Sequence, residues 1–156
     1  MSIISITVFA PRTQPVVYPM NLMKIGLKNI KPLRHGTILW LTGFSGSGKT
    51  TLAFELEKRL FDSGMKSPIR ILDGDEIRKG LSSDLGYSDA DRSENVRLVG
   101  EVAKLFAESG FFMIVALVSP FRMDRDRVRT SLPTGRFVEI FLDCPLSVCE
   151  KRDAKG

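Results

Sequence analysis

The segment Gly43-Phe44-Ser45-Gly46-Ser47-Gly48-Lys49-Thr50 fits G-x-x-x-x-G-K-[ST], the pattern of a phosphate-binding loop. Glycine lets the backbone close around an anion with no Cβ in the way. Successive N–H groups then form a nest for phosphate oxygens, and the helix that follows adds its positive N-terminal end. Lys49 is placed to reach the β- and γ-phosphates, the Thr50 hydroxyl to ligate Mg²⁺, and Thr51 extends the nucleotide-binding run. A second group with chemistry in it is the acidic pair Asp73 and Asp75 around Gly74. One carboxylate can face a metal and the other an acceptor hydroxyl. That layout suits a small-molecule kinase, in which the acid positions or deprotonates the attacking oxygen. Arg78 follows Asp75 by one helical turn, and Arg92 and Asn95 are spaced to share a helix face. Arginine grips phosphate or sulfate oxygens bidentately, so the acceptor reads as anionic. Tyr87, just before Arg92, could stack on a base. Taken singly, each of these is an ordinary turn aspartate or solvated surface residue; their clustering around one loop favours a site.

The elements around them are those such a site requires. The apolar run Thr37–Leu41 predicts a strand into the loop, and Thr51–Leu60, with Leu52, Ala53, Leu56 and Leu60 on its inner side, a helix out of it ending near Ser63-Gly64. Ile69–Leu72 reads as a short strand ending in Asp73-Gly74-Asp75, with a helical turn through Glu76 to Leu81. Ser88-Asp89-Ala90-Asp91 resembles a capping box that opens a long helix with Val96, Val99, Val102, Ala103 and Phe106 as its buried stripe. Phe111–Val118 is apolar on both faces, as a central parallel strand is, and ends at Ser119-Pro120. A charged helix over 122–129, a strand over Phe137–Leu142 and a helix from Leu146 to Arg152 complete the pattern. Alternating strands and helices joined by right-handed crossovers predict an α/β fold, a P-loop NTPase-type parallel sheet sandwiched by helices in three layers. Ligands in such sheets sit at the carboxyl ends of the strands, so the loop, the acidic pair, Ser119-Pro120 and Asp143 should share one edge.

The net charge of +5 suggests nucleic acid only until it is located. Residues 1–36 carry Arg12, Lys24, Lys28, Lys31 and Arg34 and no acid, whereas 37–156 are neutral. Sequence-independent binding to nucleic acid therefore loses its main support over the loop-bearing part. No apolar run approaches the roughly 18 residues of a membrane span. We read 1–36 as an irregular basic N-terminal extension and 37–156 as the P-loop kinase domain. Within the extension, Ile4, Ile6 and Val8 alternate as a short edge strand would; residues 10–20, with Pro11, Pro15 and Pro19, read as irregular; and 21–31 read as an amphipathic helix with Leu22, Met23, Leu27 and Ile30 on one face. Cys144 and Cys149 read as free thiols in a reducing cytosol, with organelle targeting by the basic N-terminus as the alternative. His35 receives no catalytic role.

Six stretches in order, TGFSGSGKTTLA, LDGDEIRKGL, DLGYSDADRSENVR, VGEVAKLFAESG, SPFRMDRDRVR and LDCPLSVCEKRDAKG, resemble the adenylylsulfate kinase (APS kinase) family from about Gly36 to Gly156. The resemblance implies phosphorylation of the 3′-hydroxyl of adenosine 5′-phosphosulfate by ATP with Mg²⁺, giving PAPS and ADP in sulfate assimilation, commonly by a homodimer. It implies Asp73 and Asp75 as the family's acidic pair, with Asp75 the base; Arg78, Arg92 and Asn95 as adenylylsulfate-binding residues; and Tyr87 where the family often stacks phenylalanine on the substrate adenine. It further implies Val118 and Ser119 as the strand end lining the substrate pocket, Ser119 being a position that carries a phosphoryl group in some relatives. In the family the segment after R-D-x-K-G continues into a Lys/Arg-rich lid, a second aromatic and a last strand. The sequence stops at Gly156, so the expectation is an open sheet edge, with ATP bound but turned over poorly. The alternatives are another small-molecule P-loop kinase, with a sugar or shikimate-like acceptor, and a non-catalytic nucleotide-binding module.

Overall fold

The computed structural model describes residues 5–9, 16–19 and 36–152. Its sheet is built outward from β3 (Ile38–Thr42), whose five residues are all buried. Both neighbours of β3 are parallel to it: β5 (Phe112–Ala116) on one side and β6 (Phe137–Asp143) on the other. A strand hydrogen-bonded on both edges and covered on both faces has no polar side to show, which is why ILWLT and FMIVA are continuous apolar runs. β4 (Ile69–Asp73) pairs in parallel outside β5. The full order is β2-β1-β6-β3-β5-β4.

Period-two alternation along β3 divides the core. Leu39 and Leu41 pack with α1 (Lys49–Asp62) through Leu52, Ala53, Leu56 and Leu60. Ile38 and Trp40 face the other way, toward α3 (Asp89–Glu108) through Val96, Val99, Ala103 and Ala107, and toward α4 (Arg122–Thr130) through Val128. The result is the three-layer α/β arrangement. In α3 the stripe differs from the expected one in its second half, where Val102 is only half-buried. Ala107 is buried where Phe106 was expected, and Phe106 instead meets the Phe111 ring edge-on at 5.2 Å between centroids. The small residue is the one that lets the last turn lie close to the sheet.

Two findings alter the reading of the N-terminal extension. β1 (Ser5–Phe9) is a strand, as its alternation predicts, but it is not a loose edge: it pairs antiparallel with β6 from Ser5↔Asp143 to Phe9↔Glu139. The edge of β6 expected to be open is therefore occupied. The stretch read as irregular over 10–20 contains β2 (Val16–Pro19), antiparallel to β1. Its prolines hide it from a sequence reading. An outermost strand tolerates Pro19 because one row of its N–H groups has no sheet partner to lose. The helix expected at 21–31, His35 and the tail 153–156 lie outside the described residues.

Candidate active site

The loop Gly43–Gly48 leaves β3 at its carboxyl end and runs into α1 at Lys49. Gly46 is the tightest point, since a Cβ there would lie 2.5 Å from the backbone oxygen of Cys149 in α5 (Leu146–Arg152). Gly48 caps the N-terminus of α1 at φ 94, a left-handed conformation that side chains disfavour. Lys49 folds back over the loop, its Nζ donating to the Gly43 and Phe44 carbonyl oxygens at 3.1 and 2.7 Å. Ser47 is buried, and its Oγ has no hydrogen-bond partner among the described residues. Phe44, Ser45, Thr50 and Thr51 are exposed. Such a loop can enclose phosphate with main-chain donors and one cation.

The acidic pair sits where β4 becomes α2 (Gly74–Ile77). Asp73 caps this turn: its Oδ1 accepts from the Asp75 N–H at 2.9 Å. Its other oxygen, Oδ2, accepts from the Thr50 hydroxyl at 2.6 Å. Residues 23 apart in sequence are thus in contact at the mouth of the loop. Asp75, one position into the turn, is exposed. A hydroxyl and a carboxylate placed together beside bound phosphates fit Mg²⁺, which takes one or two carboxylates and completes its shell with phosphate oxygens and water.

Arg78 ends the α2 turn and reaches across to the next loop, where its Nη1 donates to the Leu85 and Gly86 carbonyl oxygens at 3.1 and 3.0 Å. Arg92, in the first turns of α3, donates from Nε to the Tyr87 carbonyl oxygen at 2.9 Å. The exposed Tyr87 ring lies 4.4 Å from the Arg78 guanidinium carbon and 5.6 Å from that of Arg92. The three residues singled out in sequence form one contiguous cationic and aromatic surface. Asn95, one turn beyond Arg92, is buried with its Oδ1 unpartnered among the described residues. The helix that carries both starts where it does because the Ser88 Oγ accepts from the Asp91 N–H, while donating to the Asp91 carboxylate at 2.6 Å.

Ser119, beyond the end of β5, is enclosed. Val118 is half-buried, but Ser119 is 1% exposed. Its Oγ accepts from the Trp40 indole at 3.0 Å and donates to the Thr42 Oγ1 at 2.8 Å. The hydroxyl is thus enclosed and bonded on both sides. Sequence reasoning also missed a buried ionic group beside it. The Glu139 carboxylate, on β6, pairs with Arg125 at 2.9 Å and also with Arg129, both on α4. The signals were available: one acid inside the apolar run of β6, and two arginines four apart on a helix read only as charged. Cys149 is buried behind the loop. Burial pushes its thiol pKa up, the neighbouring Cys144 adds to this, and the charges of Lys49 and Arg152 oppose it.

A surface concavity of about 660 Å³ lies by Phe54, Phe61 and Met65, and another of about 630 Å³ by Phe9, Arg122 and Phe137; neither includes a residue of the loop or of the acidic pair. The chemistry lies on the open carboxyl edge of the sheet. The loop alone asks only for a nucleoside triphosphate, and the Thr50–Asp73 contact sets an acidic group beside it, which together with the sheet makes the domain one of the P-loop NTPase type. The chain belongs to the adenylylsulphate kinase family, whose model matches residues 35–156. It is 55% identical over 119 residues to an adenylyl-sulfate kinase of Geotalea daltonii, a match covering 76% of this chain and 58% of that protein. Its backbone resembles an APS kinase of Mycobacterium tuberculosis solved in complex with AMPPNP and APS (TM-score 0.71, 42% identity, 79% of this chain and 71% of that one). It also resembles a hexameric APS kinase from Thiobacillus denitrificans (TM-score 0.62, 40% identity, 72% of this chain and 23% of that one). The chain thus spans less than two thirds of the length of the Geotalea relative. β1 and β2 precede the family match.

Proposed function

We propose that this domain carries out the nucleotide-binding and acceptor-activating half of adenylylsulfate phosphorylation: the γ-phosphoryl of ATP passes to the 3′-hydroxyl of adenosine 5′-phosphosulfate, giving PAPS and ADP. The observation that carries the reading is the Thr50–Asp73 contact, on an edge shared with the Arg78–Tyr87–Arg92 surface. Main-chain donors of Gly43–Gly48 and the Lys49 ammonium hold the β- and γ-phosphates. The 3′-oxygen forms the new bond to phosphorus, the bond to the β-bridging oxygen breaks, and Asp75 takes the hydroxyl proton. Arg78, Arg92 and the Asn95 amide grip the phosphosulfate end, and Tyr87 stacks on its adenine. Asp73 and Thr50 would hold Mg²⁺, which supplies charge neutralisation at the phosphates when bound. Among the described residues no helix is long and apolar enough to cross a membrane, and Cys144 and Cys149 are unpaired. The free thiols support a cytoplasmic, reducing location.

Thermal unfolding in the presence of ADP tests the acceptor. Adenylylsulfate is expected to raise the midpoint, and gluconate or shikimate to leave it unchanged; protection by the sugars alone would transfer the reading to another small-molecule kinase. A coupled ADP-release assay tests the base. Asp75→Asn is expected to lower kcat by about 100-fold or more with ATP affinity kept, in line with the usual contribution of a general base.

A further inference from the structure

The ionic group around Glu139 sits beside the acceptor wall, and the chemistry described so far gives it no work. Glu139 lies on β6 opposite Trp40 of β3. Its carboxylate is 7% exposed and the Arg125 side chain 14%. Charges this enclosed persist only when paired and hydrogen-bonded, and these are. Arg125 turns Nη1 to the turn after β5: it donates to the Ser119 carbonyl oxygen at 2.6 Å and to that of Pro120 at 3.3 Å. The Ser119 carbonyl oxygen also accepts from the Thr42 hydroxyl at 3.3 Å. The Ser119 hydroxyl accepts from the Trp40 indole. The turn after β5 is therefore tied to β3 by Trp40 and Thr42, and to β6 by Arg125 through Glu139. Thr42 is the last residue before the phosphate loop, so the same ties set the distance between the loop and this turn. Planar guanidinium geometry suits the task, because one face of the fork can hold a carboxylate while another donor holds a carbonyl.

We propose that Arg125, oriented by Glu139, is a positioning residue that fixes the Ser119–Pro120 turn as the acceptor-side wall of the site. It acts through the turn and touches neither nucleotide nor acceptor. The assignment of the turn to the acceptor rests on the function proposed above; the mechanical link from Arg125 to Trp40 through Ser119 does not.

That separation makes the test decisive. Trp40 is the sole tryptophan, so its indole N–H gives one unambiguous NMR signal from the hydrogen bond to Ser119. Arg125→Ala and Glu139→Gln are expected to shift that resonance and to speed its hydrogen exchange at least about tenfold, as loss of a buried hydrogen-bonded tie does. They should weaken adenylylsulfate binding about tenfold or more while leaving affinity for a non-hydrolysable ATP analogue within about twofold. Arg125→Lys, which keeps the charge on Glu139 but not the fork, should recover part of both effects. Arg122→Ala, on the same helix with its side chain 86% exposed, should change neither. An unchanged Trp40 signal in Arg125→Ala and Glu139→Gln overturns the proposal, and so does an equal loss of both ligands. If Arg125→Ala fails to fold, Arg125→Lys and Glu139→Gln carry the decision. If the unaltered chain binds the ATP analogue but not adenylylsulfate, the function proposed above fails, and the Trp40 signal alone then decides whether Arg125 positions the turn.

Discussion

Gly46 and Gly48 are both in the phosphate loop, but different forces hold them to glycine. At Gly48 a Cβ would meet nothing within 4 Å, so only the left-handed backbone opposes a side chain. Gly48→Ala should therefore lower stability by about 1–2 kcal/mol. At Gly46 the backbone is also left-handed, at φ 72, and a Cβ would run into the Cys149 main chain, which cannot rotate away. Gly46→Ala should cost more than about 2 kcal/mol, because either the loop or α5 must move. Urea unfolding of the two variants checks the difference, and equal losses would contradict it. Cys149, on the other side of that contact, gives a pH prediction. Its raised thiol pKa means less thiolate at a given pH than an ordinary cysteine has. Iodoacetamide at pH 8 should modify Cys149 at least about tenfold more slowly in the folded protein than in urea. The folded rate should go on rising with pH above the ordinary thiol value of about 8.5, where an unperturbed cysteine levels off. Peptide mapping by mass spectrometry reads the rate at that residue.

Among the elements, β1 changes the account of the molecule most. Ile6 is fully buried and Val8 nearly so, in the same cluster as Leu39, Leu41 and the inner residues of α1, although β1 precedes the family match. Ile6→Ala should lower stability by about 2–4 kcal/mol, as truncation of a packed isoleucine does, whereas Phe9→Ser, at the exposed end of the strand, should cost less than about 0.5 kcal/mol. Denaturant titration of the two variants measures both. Elements whose signal is local were legible in sequence: the loop with its flanking strand and helix, the N-cap of α3 at Ser88, and the apolar runs of β3 and β5. What was not legible depends on partners distant in sequence. The alternation of Ile6 and Val8 shows a strand but cannot say that β6 is its neighbour. Val16–Tyr18 has β-favouring residues, but only an outer position explains why Pro19 at the end of the strand does no harm. Ser119 reads only as the end of a strand until Trp40 and Thr42 close on it, and Arg125 only as one charge of a charged helix until Glu139 is found beside it.

At the scale of the whole molecule, the sheet is shared by two apolar clusters that do not mix. Leu39 and Leu41 belong to the α1 side with Ile6, Val8 and Ile140, and Ile38 and Trp40 to the α3 and α4 side with Val115 and Phe137. Neither cluster can dissolve while leaving the other a covered face, since adjacent residues of the same β3 backbone serve both. A sheet that loses one layer exposes apolar area worth roughly 25 cal/mol per Å², which is enough to remove any gain from partial unfolding. The expectation is one cooperative transition. The probes to test it lie on opposite sides. Trp40 emission reports the α3 and α4 side, far-UV circular dichroism reports helices on both, and Ile6→Ala perturbs only the α1 side. Urea curves by the two probes should coincide in the unaltered protein. They should move together in Ile6→Ala, with a lower midpoint and an unchanged slope. A shift in the dichroism curve that leaves the Trp40 curve in place would mean that the α1 face, with the phosphate loop at its end, opens separately from the face that carries Arg92 and Asn95.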